Sequence, residues 1–209
     1  MNASTHQTRR RPRVTASLWS VPRARVDAEA ARIAGTGIHA WHWDHADGTL
    51  GPAGGFSADD ARRIADATGV ASEAHLLMED PRTAVAQWAP FCELVVVHRE
   101  SPHWREAVRL VVEHGAQAAV ALSPGTPIVR DELGGLGALV MSVEPGHAGG
   151  AYDEGCPERV AALAGHGLVG VDGSLTPARA AELVAHGATW LVSGTSLVAA
   201  PEHWAPFLH

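Results

Sequence analysis

The sequence predicts a single (β/α)8 TIM barrel with parallel strands, and three observations carry that prediction. Short β-branched runs alternate with helix-patterned segments about eight times along the chain. The connections are short, which implies parallel strands joined by crossover helices. Ionisable residues recur at the C-terminal ends of the strand segments, where barrels of this kind build their sites. The predicted strands are Val14–Ser20, Ile38–Asp44, Ser72–Leu77, Leu94–His98, Ala118–Leu122, Leu139–Glu144, Leu168–Asp172 and Trp190–Ser193. Helix punctuation lies between them. Ser57 followed by Asp60 forms a capping box, and Gly69 closes that helix. Ser101-Pro102 and Thr176-Pro177 each read as an N-cap followed by proline at the first helical position. Gly115 and Gly187 stand where C-terminal caps belong, and Val108, Val111 and Val112, like Leu183 and Val184, recur at helical spacing on a buried face. An open doubly wound sheet is disfavoured because no G-x-G-x-x-G turn follows the first strand.

At 209 residues the chain has room for one domain of this architecture, near its short end. Residues 14–209 read as the barrel and residues 1–13 as a disordered basic arm carrying Arg9, Arg10, Arg11 and Arg13. The apolar stretch after these arginines is broken by Thr15, Ser17 and Ser20, so a twin-arginine export signal is not expected. A net charge of −7 argues against nucleic acid as a main partner. No apolar run is long enough to span a bilayer, so no membrane partner is expected. Two cysteines, Cys92 and Cys156, make no disulfide framework, and the expected compartment is the reducing cytoplasm. Homo-oligomerisation is left open.

The chemistry is concentrated at strand ends. In Trp41-His42-Trp43-Asp44, residues 42 and 44 share one strand face because side chains alternate with period two. His75, His98 and Asp172 end the third, fourth and seventh strands. Charges aimed into a barrel mouth are costly unless paired or bound to a cation. Taken together, His42, Asp44, His75 and Asp172 form a mixed nitrogen and oxygen set suited to one divalent ion, Zn²⁺, Fe²⁺, Mn²⁺ or Co²⁺. A lone strand-end histidine is more often a hydrogen-bonded structural residue, and for His98 that role, or one behind the ligands, stands level with direct ligation. Glycine-rich turns follow the last three strands: Pro145-Gly146-His147-Ala148-Gly149-Gly150, Asp172-Gly173-Ser174 and Ser193-Gly194-Thr195. Exposed backbone N–H groups and helix N-termini there suit a phosphate.

These same segments resemble the ribulose-phosphate 3-epimerase family, in order and spacing, from about Ser17 to Thr195. The matching pieces are Ser17-Leu18-Trp19-Ser20, His42-Trp43-Asp44-His45-Ala46-Asp47-Gly48, His75-Leu76-Leu77-Met78-Glu79-Asp80-Pro81, His98-Arg99-Glu100, Ser123-Pro124-Gly125-Thr126-Pro127, Met141-Ser142-Val143-Glu144-Pro145-Gly146, Val171-Asp172-Gly173 and Ser193-Gly194-Thr195. The resemblance implies that His42, Asp44, His75 and Asp172 bind the metal, with Asp44 and Asp172 doubling as an acid/base pair. It further implies that Ser17, His75 and Met141 meet the substrate, and that Gly146, His147, Ala148, Gly149, Gly173, Ser174, Gly194 and Thr195 hold its phosphate. The expected reaction is epimerisation at C3 of a small-molecule ketose phosphate through an enediolate, D-ribulose 5-phosphate being the default.

The chain departs from the family pattern around the pocket. Ala46 and Leu77 stand where methionines are usual, Leu50-Gly51-Pro52-Ala53 replaces Phe-Val-Pro-Asn, His147-Ala148 replaces Phe-Gly, Gly150 replaces Gln, and Ser174 replaces a glycine. These changes leave the ligand and acid/base positions intact and bring into question which sugar is accepted. The same chemistry on another ketose phosphate in a specialised pathway, and a non-catalytic sugar-phosphate-binding homologue, are therefore the alternatives. A phosphosugar decarboxylase is excluded by the absence of any lysine, since its Asp-x-Lys-x-x-Asp pattern cannot be written.

Overall fold

The computed structural model describes residues 11–147 and 149–208. Among the described residues nine strands form in order: β1 (Arg13–Ser17), β2 (Ala40–Ala46), β3 (Gly54–Gly55), β4 (Ala71–Leu77), β5 (Leu94–His98), β6 (Gln117–Leu122), β7 (Gly137–Met141), β8 (Val169–Asp172) and β9 (Trp190–Ser193). All except β3 are parallel and run around a ring in the order β1, β9, β8, β7, β6, β5, β4, β2, and pairing of β1 with β2 closes it. β3 is a two-residue antiparallel flap on the end of β2, with His45 opposite Gly55. Helices α1 (Val26–Ala34), α2 (Ala58–Thr68), α3 (Arg82–Trp88), α4 (Trp104–Glu113), α5 (Arg130–Leu133), α6 (Cys156–Ala162), α7 (Pro177–His186) and α8 (Thr195–Ala199) follow the eight barrel strands in turn. The predicted barrel is therefore the observed one. No helix among the described residues is long and apolar enough to cross a membrane.

Most local signals formed as their chemistry requires. The Ser57 hydroxyl accepts from the Asp60 N–H at 3.1 Å and donates to the Asp60 carboxylate, and Gly69 ends α2 in the left-handed region at φ 67°. Thr176 caps α7, with Pro177 first in the helix. Three expectations need correction. Ser101 is not an N-cap with Pro102 at the first helical position: α4 starts at Trp104, and the Ser101 hydroxyl accepts from the His103 N–H to shape the turn before it. Val112 does not join the buried face, which Trp104, Ala107 and Val111 fill, but lies 58% exposed. The first and sixth predicted strands also end early, at Ser17 and Met141, and the chain goes on as the turns and loops at the barrel's mouth. Arg13, grouped by its sequence context with the basic arm, opens β1, and the Arg11 guanidinium donates to the Leu208 carbonyl. Arg9 and Arg10 lie outside the described residues.

Period-two alternation sorts side chains into two environments. On β2, Trp41 and Trp43 point outward beneath the helices, where their indole N–H groups reach Thr68 and Ser72 at 2.9 Å. Their neighbours His42 and Asp44 point inward. The barrel interior is itself divided. Leu94, Val96, Ala119, Ala121, Leu139, Met141, Trp190 and Val192 fill one side as an apolar cluster separate from the helix-facing core. Thr15, Ser17, His42, Asp44, Glu73, His75 and His98, all buried, occupy the other.

Trp190 is the keystone between the two halves. Its indole lies inside the barrel and donates to Thr15 and to Glu73 at 3.1 Å. Gly170 on the adjacent β8 makes room for it, since a Cβ there would sit 2.2 Å from the ring. Gly170→Ala is expected to lower stability by about 1–3 kcal/mol through overpacking. An earlier midpoint in thermal unfolding followed by circular dichroism checks this. An unchanged midpoint would contradict a tightly held indole.

Candidate metal centre and active site

The strand register gathers the site. β2 and β4 are neighbours with Asp44 opposite His75, and β8 delivers Asp172 across from Met141 of β7. From His42 Nε2 it is 3.3 Å to His75 Nδ1, 3.5 Å to Asp44 Oδ1 and 3.9 Å to Asp172 Oδ2. His75 Nδ1 lies 3.2 Å from Asp44 Oδ1 and 3.8 Å from Asp172 Oδ2. All four donor atoms fall within 4.8 Å of one another. Ligands about 2.0–2.2 Å from a divalent ion at tetrahedral angles stand roughly 3.3–3.6 Å apart, so His42, Asp44 and His75 are spaced as such an ion needs and Asp172, at 3.8–3.9 Å from the imidazoles, stands slightly further out. His42 lies wholly beneath the cavity floor, while Asp44, His75 and Asp172 open onto it.

Other side chains fix these groups. Ser17 donates to Asp44 Oδ2 at 2.8 Å. Ser142, fully buried at the end of β7, donates to the backbone carbonyls of Asp172 and Gly173 and so holds the turn that aims Asp172. That turn needs Gly173, whose φ is 112° and whose missing Cβ would meet Val143 at 2.5 Å. Glu73, two residues before His75 on the same inward face of β4, is completely buried and sits 2.6 Å from His42 Nδ1. Sequence reasoning overlooked it, although its period-two relation to His75 was the available signal. His98 is also completely buried and stands behind the cluster: its Nε2 is 2.9 Å from His75 Nε2 and its Nδ1 is 3.1 Å from Glu100.

The electrostatics follow from burial and pairing. Burial opposes protonation of His42, but Asp44 and Glu73 outweigh it and raise its pKa well above 6.5. Burial would also raise Asp44, yet the two imidazoles hold it far below the usual carboxylate range. Asp172 is raised to about 7, first by burial and then by the charges of Asp44 and Glu73, which overcome the pull of His42. Burial lowers both His75 and His98. The pair Asp44 and Asp172 thus consists of one ionised carboxylate and one that holds its proton near neutrality.

Above the cluster is a cavity of about 350 Å³. Ser17, Met141, Gly146, His147, Gly149, Gly173, Ser174, Gly194 and Thr195 line it, as do Asp44, His75 and Asp172. Ala148 lies outside the described residues. The wall also contains Trp19, Ser20, Leu77, Val143, Leu175, Thr176 and Ser196, most of them on loops whose approach the sequence did not foretell. Ala46 is absent from it, being buried where β2 meets Gly54 and Leu77. Opposite the metal cluster the lining carries hydroxyls of Ser20, Ser174, Thr176, Thr195 and Ser196 and no arginine among the described residues. An anion there would be held by hydroxyl and backbone N–H dipoles.

Fold and site together define a barrel enzyme with a buried imidazole–carboxylate centre that can hold a metal ion beneath a neutral, hydroxyl-lined cup. A family model described as the ribulose-phosphate 3-epimerase family matches residues 13–198, and the chain belongs to that family. Among curated relatives, it is 28% identical to a chloroplastic ribulose-5-phosphate-3-epimerase of Arabidopsis thaliana, covering 91% of this chain and 73% of the relative. It is 27% identical to a ribulose-phosphate 3-epimerase of Bacillus subtilis over 88% of this chain and 91% of the relative. Among solved structures, a phosphoribosyl anthranilate isomerase from Thermus thermophilus superposes with a TM-score of 0.63 at 20% identity, covering 88% of each chain. At that identity the likeness is one of fold.

The protonation pattern sets a pH dependence. A raised His42 pKa contributes stability below 6.5 that is lost as pH rises through the elevated value. Asp172, raised from 3.8 to about 7, also loses its contribution as pH rises across that interval. Asp44 contributes fully above its ordinary 3.8. His75 and His98, lowered by burial, act the other way below about 6.5, so the loss from His42 and Asp172 is read above that range: chelator-treated protein should melt at a lower temperature near pH 8.5 than near pH 7. Added Zn²⁺ or Mn²⁺ competes with the proton on His42, so its stabilising effect should grow over the same interval. Melting curves with chelator and with metal at both pH values check the pair, and a metal effect that shrinks with rising pH would contradict the ligand role of His42.

Proposed function

We propose that the chain epimerises a ketose phosphate at C3 through an enediolate, with Asp44 and Asp172 as the acid/base pair and D-ribulose 5-phosphate to D-xylulose 5-phosphate as the default reaction. The observation that carries this reading is the placement of two carboxylates on one cavity floor from β2 and β8, strands separated in the ring by β1 and β9. Inversion at a carbon beside a ketone needs a base on one side of a planar intermediate and an acid on the other. One aspartate removes the C3 proton, the electron pair delocalises onto the carbonyl oxygen, and the other aspartate returns a proton to the opposite face. His42, Asp44, His75 and Asp172 would hold one divalent ion, Zn²⁺, Fe²⁺, Mn²⁺ or Co²⁺, whose Lewis acidity favours charge on the substrate oxygens when it is bound. Ser17 keeps Asp44 oriented through its 2.8 Å hydrogen bond. The hydroxyls and turns around Ser174, Gly194 and Thr195 receive the phosphate.

A different ketose phosphate, handled by the same chemistry, is the second reading. Leu77 in the cavity wall and the exposed His147 at its rim favour it, because both stand at positions where the family pattern has other side chains. Incubating metal-loaded protein with a panel of ketose phosphates in D2O, with NMR detection of deuterium at C3 and of the epimer, decides between them. Exchange with D-ribulose 5-phosphate supports the default, and exchange with another member of the panel supports the second reading. No exchange with any member would sink both. Asp44→Asn and Asp172→Asn should each reduce turnover by at least about 10²-fold. Near-normal turnover in either variant would remove that residue from the acid/base pair.

A further inference from the structure

We propose that Glu73 and the His98–Glu100 pair are positioning residues that present different ring nitrogens, Nε2 of His42 and Nδ1 of His75, to the ligand cluster. The inference rests on the metal-dependent reading above and concerns residues to which that reading gives no role. Glu73 Oε1 stands 2.6 Å from His42 Nδ1. A carboxylate only accepts, so the proton of a neutral His42 belongs on Nδ1, and the lone pair of Nε2 faces Asp44, His75 and Asp172. Glu73 cannot turn away, because the same oxygen accepts from Thr15 at 2.8 Å and Trp190 at 3.1 Å, while Oε2 accepts from Arg13 at 2.9 Å. The residue is 0% exposed and lies below the cavity, out of reach of a substrate.

His75 is braced from the other side. Glu100 accepts from the Ser123 N–H at 2.9 Å and from the Thr126 hydroxyl, which leaves its Oε2 at 3.1 Å from His98 Nδ1. The proton of His98 therefore lies on Nδ1 and its Nε2 is an acceptor. That atom is 2.9 Å from His75 Nε2, and the two rings are inclined by only 14° with centroids 4.9 Å apart. Rings so arranged lie edge to edge, as an N–H···N bond requires. His75 must then carry its proton on Nε2 and turn Nδ1 inward, 3.2 Å from Asp44 Oδ1. Two unrelated chains of hydrogen bonds thus arrive at one result: each imidazole offers an unprotonated nitrogen to the same point.

The test uses the full chain labelled with ¹⁵N-histidine and Zn²⁺ as the probe. Two-bond ¹⁵N–¹H correlation of the Zn²⁺-loaded protein should show the proton on Nδ1 of His42 and on Nε2 of His75. Glu73→Gln and Glu100→Gln should each weaken Zn²⁺ binding about 10–100-fold in chelator competition, with native circular dichroism retained. A merely structural role would lower the melting temperature and leave the Zn²⁺ affinity and the tautomers unchanged. Should Glu73→Gln fail to fold, Glu100→Gln in the exposed turn after β5 and the wild-type spectrum decide. Opposite tautomers, failure of the wild type to bind Zn²⁺, or wild-type affinity in the folded variants would overturn the proposal. Neither readout needs turnover: protein that shows these tautomers but exchanges no C3 proton would refute the epimerase reading and leave this one standing.

Discussion

Everything at the mouth of this barrel depends on how three carboxylates, Asp44, Glu73 and Asp172, and three imidazoles can be packed together out of water. His42 is the pivot: it lies wholly inside, with Glu73 on one ring nitrogen and Asp44, Asp172 and His75 around the other. Isolated charges in such surroundings are expensive, so the arrangement holds only because each carboxylate meets a cation or several donors. Arg13 closes the column from below. It enters at the N-terminal end of β1 and pairs with both Glu73 and Glu93. A line of alternating charge therefore runs from the floor of the barrel to its catalytic end.

That column explains why the interior is not uniformly aliphatic. The apolar cluster around Leu139, Met141 and Val192 fills only the side away from β2 and β4. Trp190 spans the boundary, packing its ring against the apolar half and donating its N–H into the polar half. Such a residue suits the seam because an indole carries a large apolar body and a single donor. The glycine at position 170 is the price of its volume. Rigidity follows from this packing, and the candidate ligands, held by locked side chains, keep their geometry without a flexible loop to support them.

Most of the site was legible along the chain because two simple periods write it. Strand alternation put His42 and Asp44 on one face, and termination at the mouth marked His75 and Asp172. The same rule would have reached Glu73, but a glutamate two residues before a strand-end histidine looks like a solvated edge residue until the strand is known to be closed on both sides. His98 could be recognised as a strand-end group, whereas its place behind His75 rather than in the four-residue cluster depends on a 2.9 Å contact between neighbouring strands. The misplaced cap at Ser101 has a similar origin, since Ser-Pro is equally suited to starting a helix and to shaping the turn before one, and burial of Trp104 selected the latter.

By itself the sequence determined the barrel, most of its strands and the four-residue cluster, because these follow from local hydrophobic periodicity and from the tendency of charged residues to appear inside only where something binds them. The tertiary structure alone decided which nitrogen of each imidazole faces the cluster, which carboxylate holds a proton near neutrality, and which loops close over the floor. Those properties are set by distances between strands far apart in sequence, such as β1 with β4 across the interior and β2 with β8 at the mouth. A protonation state is the sum of such fields and burial at one point in space, and no stretch of chain contains it.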